Sequence, residues 1–175
     1  NDYSLWDTFR AFHPLMTLLE PELTGNWITG LLQMYKEGGW MPMWPNPSYT
    51  NIMIGTHADA LIADAYMKGI RNYDTDLAYE AMRKNAMVPP DCDTQRRYGD
   101  RDRWTSFEAR AGASFYHTIG YVPDDKTAES VSRTLEYAYD DWCIAQVAKE
   151  MGKMNDYKSL MQWSQNYKVK DYVKT

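Results

Sequence analysis

The chain has 175 residues, enough for one domain with a core of its own, and 44% of them are hydrophobic. Acidic residues outnumber basic ones, 24 to 19, and the one local basic cluster, Arg96-Arg97 through Arg103, is interleaved with Asp100 and Asp102, a pattern that argues against a nucleic-acid partner. No apolar run approaches the roughly 20 residues that a membrane span needs, and the first residues carry no signal-peptide pattern.

Helix and breaker signals alternate along the whole chain. Residues 4 to 19 place Leu5, Phe9, Phe12, Leu15, Met16 and Leu19 at helical spacing, with Pro14 predicting a kink or a break. A second helix is predicted over residues 21 to 37, opened by Pro21 and stopped by Gly38-Gly39. Residues 39 to 52 mix Pro42, Pro45 and Pro47 with Trp40, Trp44 and Tyr49, which predicts a stiff ordered loop. Helices follow over 55 to 69 and 75 to 87, the latter capped by Asp74 or Thr75. Residues 88 to 103 are turn-rich. Further helices are predicted over 104 to 118, 129 to 151 and 154 to 167, the longest being stopped by Gly152. Successive helices on short loops, without period-two strands, define an all-α class built of helical hairpins.

Two cysteines give no disulfide framework and no metal-ligand spacing, and Cys143, inside a helical segment, reads as a small core residue. The aromatic load is high, with 14 tyrosines and seven tryptophans. Aromatics at that density either line a carbohydrate cleft or pack a core.

The stretch Ser130-Val131-Ser132-Arg133-Thr134-Leu135-Glu136-Tyr137-Ala138-Tyr139-Asp140-Asp141-Trp142 concentrates carboxylates, an arginine and large aromatics on about three helical turns. Glu136 and Asp140 are four apart and share one face, while Leu135, Ala138 and Trp142 mark a neighbouring apolar face. Such a helix serves a core and a polar cleft together, or is an amphipathic helix whose acids are solvated.

Three more segments stand beside that one: Ser4-Leu5-Trp6-Asp7-Thr8-Phe9-Arg10 with His13-Pro14-Leu15, Gly38-Gly39-Trp40-Met41-Pro42-Met43-Trp44, and Met53-Ile54-Gly55-Thr56-His57 with Ile62-Ala63-Asp64-Ala65-Tyr66. In this order and at these separations the four resemble glycoside hydrolase family 92, the exo-acting α-mannosidases, from about residue 3 to about residue 168. The resemblance implies an (α/α)6 toroid paired with a β-sandwich, a bound calcium ion, inverting hydrolysis of α-mannosides and a secreted or lumenal location. It also implies that residues 1–175 are one partial α/α-barrel domain. The barrel would then be completed by another portion or chain, or covered by self-association, with Leu5, Trp27, Leu31 and Ile62 as interface candidates.

An inverting glycosidase needs a carboxylic acid for the leaving oxygen and a carboxylate that activates water. Where the family pattern reads Asn-Glu-Thr-x-x-Met-Ile-Gly, this chain has Tyr49 in the acid's place. A phenol is the weaker acid at neutral pH. The departure fits either lost activity or a substrate with a good leaving group, such as a mannosyl phosphate. The family's base aspartates would lie beyond Ser164-Gln165-Asn166-Tyr167-Lys168, and Asp171 is a poor substitute in a Lys-flanked stretch. By the same resemblance Trp6, Asp7, Arg10, Trp44, His57 and Asp59 are expected on the substrate wall and Glu129 among the calcium ligands. A mannose-containing glycan is the expected ligand. A non-catalytic carbohydrate-binding or structural module of the same descent is the alternative.

Overall fold

The computed structural model describes residues 3–45, 53–95 and 110–168. Among the described residues the chain forms eight α-helices and a closing 3₁₀ turn, Ser164–Lys168, with no strand. The all-α expectation therefore holds.

The predicted first helix is two: α1, Leu5–Thr8, and α2, Phe12–Leu19. Pro14 carries no N–H for the carbonyl of Arg10 and its ring would press against that carbonyl, so the chain restarts and leaves Pro14 in the first turn of α2, where a missing donor costs nothing. Helix α3, Pro21–Gly38, begins on its proline and ends at Gly39. The φ of +80° at Gly39 lets its N–H return to the Tyr35 carbonyl at 2.8 Å, a turn that suits glycine. After α4, Ala58–Met67, helix α5, Thr75–Met87, is capped by the Asp74 carboxylate, which accepts from the Leu77 N–H at 3.0 Å. Helix α6, Ala113–Ile119, is shorter than predicted. The expected start at residues 104–109 lies outside the described residues, and Gly112 turns there at φ +80°. Helices α7, Ser130–Glu150, and α8, Met154–Trp163, follow the predicted bounds closely.

Sequence neighbours pack as hairpins, α2 on α3, α4 on α5 and α7 on α8, and α7 also packs against α4 and α5. The core fills the seams with Leu5, Ile28, Leu31, Ile62, Met82 and Ile144. Leu5, Leu31 and Ile62 are thus 0% exposed, contrary to their expected interface role, and Trp27 is half-buried against His13 and Phe12. Helical spacing reveals an apolar face but not which surface it meets. Exposed apolar residues include instead Phe12, Leu15, Leu18 and Leu19 on α2, and Leu135, Tyr139 and Trp142 on α7. Both cysteines are free, Cys143 in the core and Cys92 at the surface.

Helix α7 also departs from its predicted faces. Leu135 and Trp142 are exposed, while Arg133, Asp140 and Asp141 are buried together with Ala138. The charges are tolerable because other elements neutralise them. The Arg110 guanidinium, itself buried, donates to Asp141 Oδ1 at 2.5 Å and to Thr56 Oγ1 at 3.1 and 3.2 Å, and lies 3.5 Å from Asp59 Oδ2. Tyr116 donates its hydroxyl to Asp141 Oδ2 at 3.0 Å. Burial pushes Asp59 up to about 8 despite Arg110, and Asp141 up to about 6. For both acids burial works against the charged form and Arg110 works for it.

Removing one partner of a buried pair strands the other charge. Arg110→Met should lower stability by about 3–5 kcal/mol. Arg83→Met, which breaks the half-exposed Arg83–Asp156 pair, should cost no more than about 1 kcal/mol. Urea denaturation of both variants checks the contrast.

Candidate functional site

The site grows outward from Asp140. One of its oxygens accepts from the Thr56 N–H at 2.6 Å and the Thr56 hydroxyl at 3.2 Å, and the other meets His57 Nδ1 at 3.1 Å. That fixes the imidazole, whose face stacks on Phe9 with centroids 3.8 Å apart. Gly55 makes the fit possible. At φ +82° it adopts a backbone that side-chain-bearing residues disfavour, and a Cβ there would stand 2.7 Å from the His57 ring.

Beyond the ring lies Glu136. Its Oε2 is 3.6 Å from His57 Nε2, and its Oε1 accepts from Arg10 Nη2 at 3.2 Å. The Arg10 guanidinium sits over the rings of Phe9 and Trp6, 4.7 and 5.3 Å from their centroids. The shared face of Glu136 and Asp140 thus converges on one histidine. Glu136 and Arg10 open on a cleft of about 430 Å³ lined also by Phe9, Leu135 and Tyr139. Phe9, Arg10 and Tyr139 continue into a neighbouring cavity of about 390 Å³ that reaches His13, Asp64 and Trp142.

Burial by itself would lower the His57 pKa, but the charge and hydrogen bond of Asp140, helped by Glu136, raise it above its ordinary value against the opposing Arg10. Asp140 is correspondingly held below the usual carboxylate range: burial pushes it up, and His57, Arg110 and the Thr56 N–H more than compensate.

The residues expected at the substrate wall separate here. Trp6, Arg10 and His57 stand together. Asp7 does not pair with Arg10 across a helical turn: α1 ends at Thr8, and Asp7 accepts from the Ser4 hydroxyl at 2.9 Å. Asp59 presents no surface to the cleft, being buried against Arg110 and the Asn85 amide, which donates to it at 3.2 Å. Trp44 is half-buried on the loop after α3 and lines neither cavity. Tyr49 lies outside the described residues.

Glu129 occupies the cap position before α7 with φ +60° and ψ +36°, a left-handed backbone that is costly for a residue with a side chain. Its side chain makes no capping bond. Calcium takes six to eight oxygens, and no group of three or more His, Cys, Asp or Glu among the described residues is placed to hold a metal. In the loop before Glu129, Asp124 is exposed and Asp125 pairs with Lys126.

A carboxylate, a guanidinium and aromatic rings thus meet at one cleft of an all-helical fold, and the profile of the glycosyl hydrolase family 92 catalytic domain matches residues 1–170. The chain belongs to that family. It is 39% identical over 139 residues, 72% of its length, to an uncharacterized secreted glycosidase of Arthroderma benhamiae, of which it spans 16%. Among solved structures it is similar to a family GH92 inverting mannosidase of Bacteroides thetaiotaomicron, with a TM-score of 0.79 and 39% identity over 95% of the chain and 21% of the enzyme. A family GH92 α-mannosidase from the same organism, also solved with mannoimidazole, gives 0.79 and 37% over 95% of the chain and 20% of that enzyme. The chain thus spans about a fifth of the solved enzymes it matches.

The buried acids and histidine set a pH dependence. Asp59 and His57 both have folded pKa values above their unfolded ones, so each contributes stability that is full below the unfolded pKa and lost as pH rises through the folded value, about 8 for Asp59. The unfolding free energy from urea titrations should fall from about pH 4, the ordinary Asp value, to about pH 8, the folded value of Asp59, with Asp59 contributing at most about 1.4 kcal/mol per pH unit. Asp59→Asn should flatten that fall.

Proposed function

We propose that this chain forms part of an α-mannosidase of the inverting kind, as one partial α/α-barrel domain of a secreted enzyme. The single observation that supports the reading best is the 37–39% identity to family 92 mannosidases at a TM-score of 0.79, covering 95% of the chain. The cleft is consistent with it. A carboxylate and a guanidinium supply acceptors and donors for sugar hydroxyls, and exposed Tyr139 supplies an apolar face for a pyranose ring.

Tyr49 stands where the family pattern has its acid, so the chain contributes the substrate wall more than the acid–base pair. That observation also favours a second reading, a carbohydrate-binding module without turnover. Glu129 is the calcium ligand this chain would give, and its strained backbone supports a role other than capping. The remaining ligands would come from outside the described residues, and no catalytic step is assigned to the ion. The exposed ridge Phe12, Leu15, Leu18 and Leu19 is where the rest of a barrel, or a second copy, would pack.

Methyl α-mannoside should bind the chain without being hydrolysed. If the acid alone limits the rate, an aryl mannoside or a mannosyl phosphodiester, whose leaving group needs no strong acid, should turn over in the wild type, and Tyr49→Glu should raise cleavage of an unactivated mannoside by about 10²–10⁴-fold; if the base must also come from beyond Lys168, the chain by itself should cleave none of them. Turnover of any of these by either protein would rule out the binding-module reading; absence of mannoside binding would remove both. Calcium should raise the thermal midpoint of the wild type and leave Glu129→Gln unmoved, and sedimentation equilibrium should show association that Leu18→Glu weakens.

A further inference from the structure

We propose that Asp140, His57 and Glu136 form one positioning chain that presents Glu136, paired with Arg10, as the binding residue for two adjacent hydroxyls of a pyranose ring in the 430 Å³ cleft. The inference deepens the proposed carbohydrate function and rests on it only for the choice of sugar.

The geometry is more elaborate than a surface ion pair requires. An exposed Arg–Glu pair contributes little to stability, and Arg10 is 54% exposed at its side chain. Yet behind Glu136 stands a histidine 1% exposed, its Nδ1 held by a carboxylate that is itself held by the Thr56 N–H and hydroxyl. Gly55 leaves room for the ring and Phe9 covers its face. The other ring nitrogen, Nε2, is buried with no hydrogen-bond partner, and Glu136 Oε2 lies 3.6 Å from it. A buried donor left unmade is costly, and a small shift of Glu136 toward His57 would satisfy it.

Such a shift has a chemical use. A carboxylate accepts hydroxyl protons and a guanidinium donates to hydroxyl oxygens, so the pair matches a vicinal diol with charge-assisted hydrogen bonds. When a diol takes up Arg10 and one Glu136 oxygen, the His57 imidazolium can hold the other and keep the carboxylate ionised. Tyr139 and Leu135, both exposed on α7, flank the place a ring would occupy. The charged groups facing His57 are Asp140 and Glu136 from α7 and Arg10 from the α1–α2 connection. Protonated His57 is therefore the form that supports binding.

The test titrates the 175-residue chain with methyl α-mannoside, methyl α-glucoside and methyl β-galactoside, following tryptophan indole signals by NMR, beside the variants Glu136→Gln, His57→Gln and the remote control Lys158→Ala. Glu136→Gln should weaken whichever pyranoside binds best by about tenfold or more, as expected for a charged hydrogen-bond acceptor, while Lys158→Ala leaves it unchanged. In the free protein, the ¹⁵N signals of the His57 ring should titrate at lower pH in Glu136→Gln than in the wild type, a readout that needs no ligand and survives even if His57→Gln does not fold. Wild-type affinity should fall as His57 loses its proton, and folded His57→Gln should lose that pH dependence. Unchanged affinity in Glu136→Gln, an unchanged His57 titration, or no binding of any pyranoside by the wild type would each overturn the proposal. Preference for glucoside or galactoside over mannoside, with the loss in Glu136→Gln intact, would sustain it and overturn the mannosidase reading alone.

Discussion

Arg110 is the constraint on which the rest depends. Its guanidinium lies between α4 and α7 and meets Asp141, Asp59 and the Thr56 hydroxyl, all out of water. One arginine cannot neutralise three buried aspartates. Asp140 is paired instead with His57, whose pKa that carboxylate raises, and burial favours the protonated form of Asp59. Every partner has one place to go, and that fixes the approach of the Thr56–His57 segment to α7 more tightly than apolar contacts would, since apolar packing tolerates sliding and a buried charge does not.

The same arrangement carries the site. Asp140 and Asp141 are adjacent on α7 and serve different ends: Asp141 faces Arg110 and Tyr116 inside the fold, and Asp140 faces His57 on the way out. Core and cleft therefore share a backbone. A change that loosens Arg110 shifts Thr56, and Thr56 holds the carboxylate that orients the histidine. The aromatic residues divide likewise: Tyr116 and Tyr137 close the inner cluster, whereas Tyr139 and Trp142 face outward at the cavities.

The exposed apolar surface on α2 has a different character. Leu15, Leu18 and Leu19 lie on a short helix whose other side packs on α3 and α4, so the hairpin presents apolar residues both ways. Such a surface is what the proposed packing of the rest of a barrel, or of a second copy, would cover.

The sequence alone determined the all-α class, the bounds of α3, α5, α7 and α8 to within a residue or a few, and the family. Those features depend on local signals, among them Pro21, Gly39, Asp74 and Gly152, and on long quoted motifs, and local signals survive without tertiary context. It also placed Glu136 and Asp140 on one face, and put Trp6, Arg10 and His57 near one another through motif order. Only the tertiary structure decided which partner each group takes. Asp7 turned to Ser4, Asp59 went into the core, and Leu135 and Trp142 of the supposed apolar face of α7 became exposed while Ala138 stayed buried, because periodicity reports that a face is chemically distinct and not what lies opposite it. Arg110 had no sequence signal at all: an arginine after the turn-rich stretch reads as solvated until the carboxylates that neutralise it, 31 and 51 residues away in sequence, are brought around it by folding.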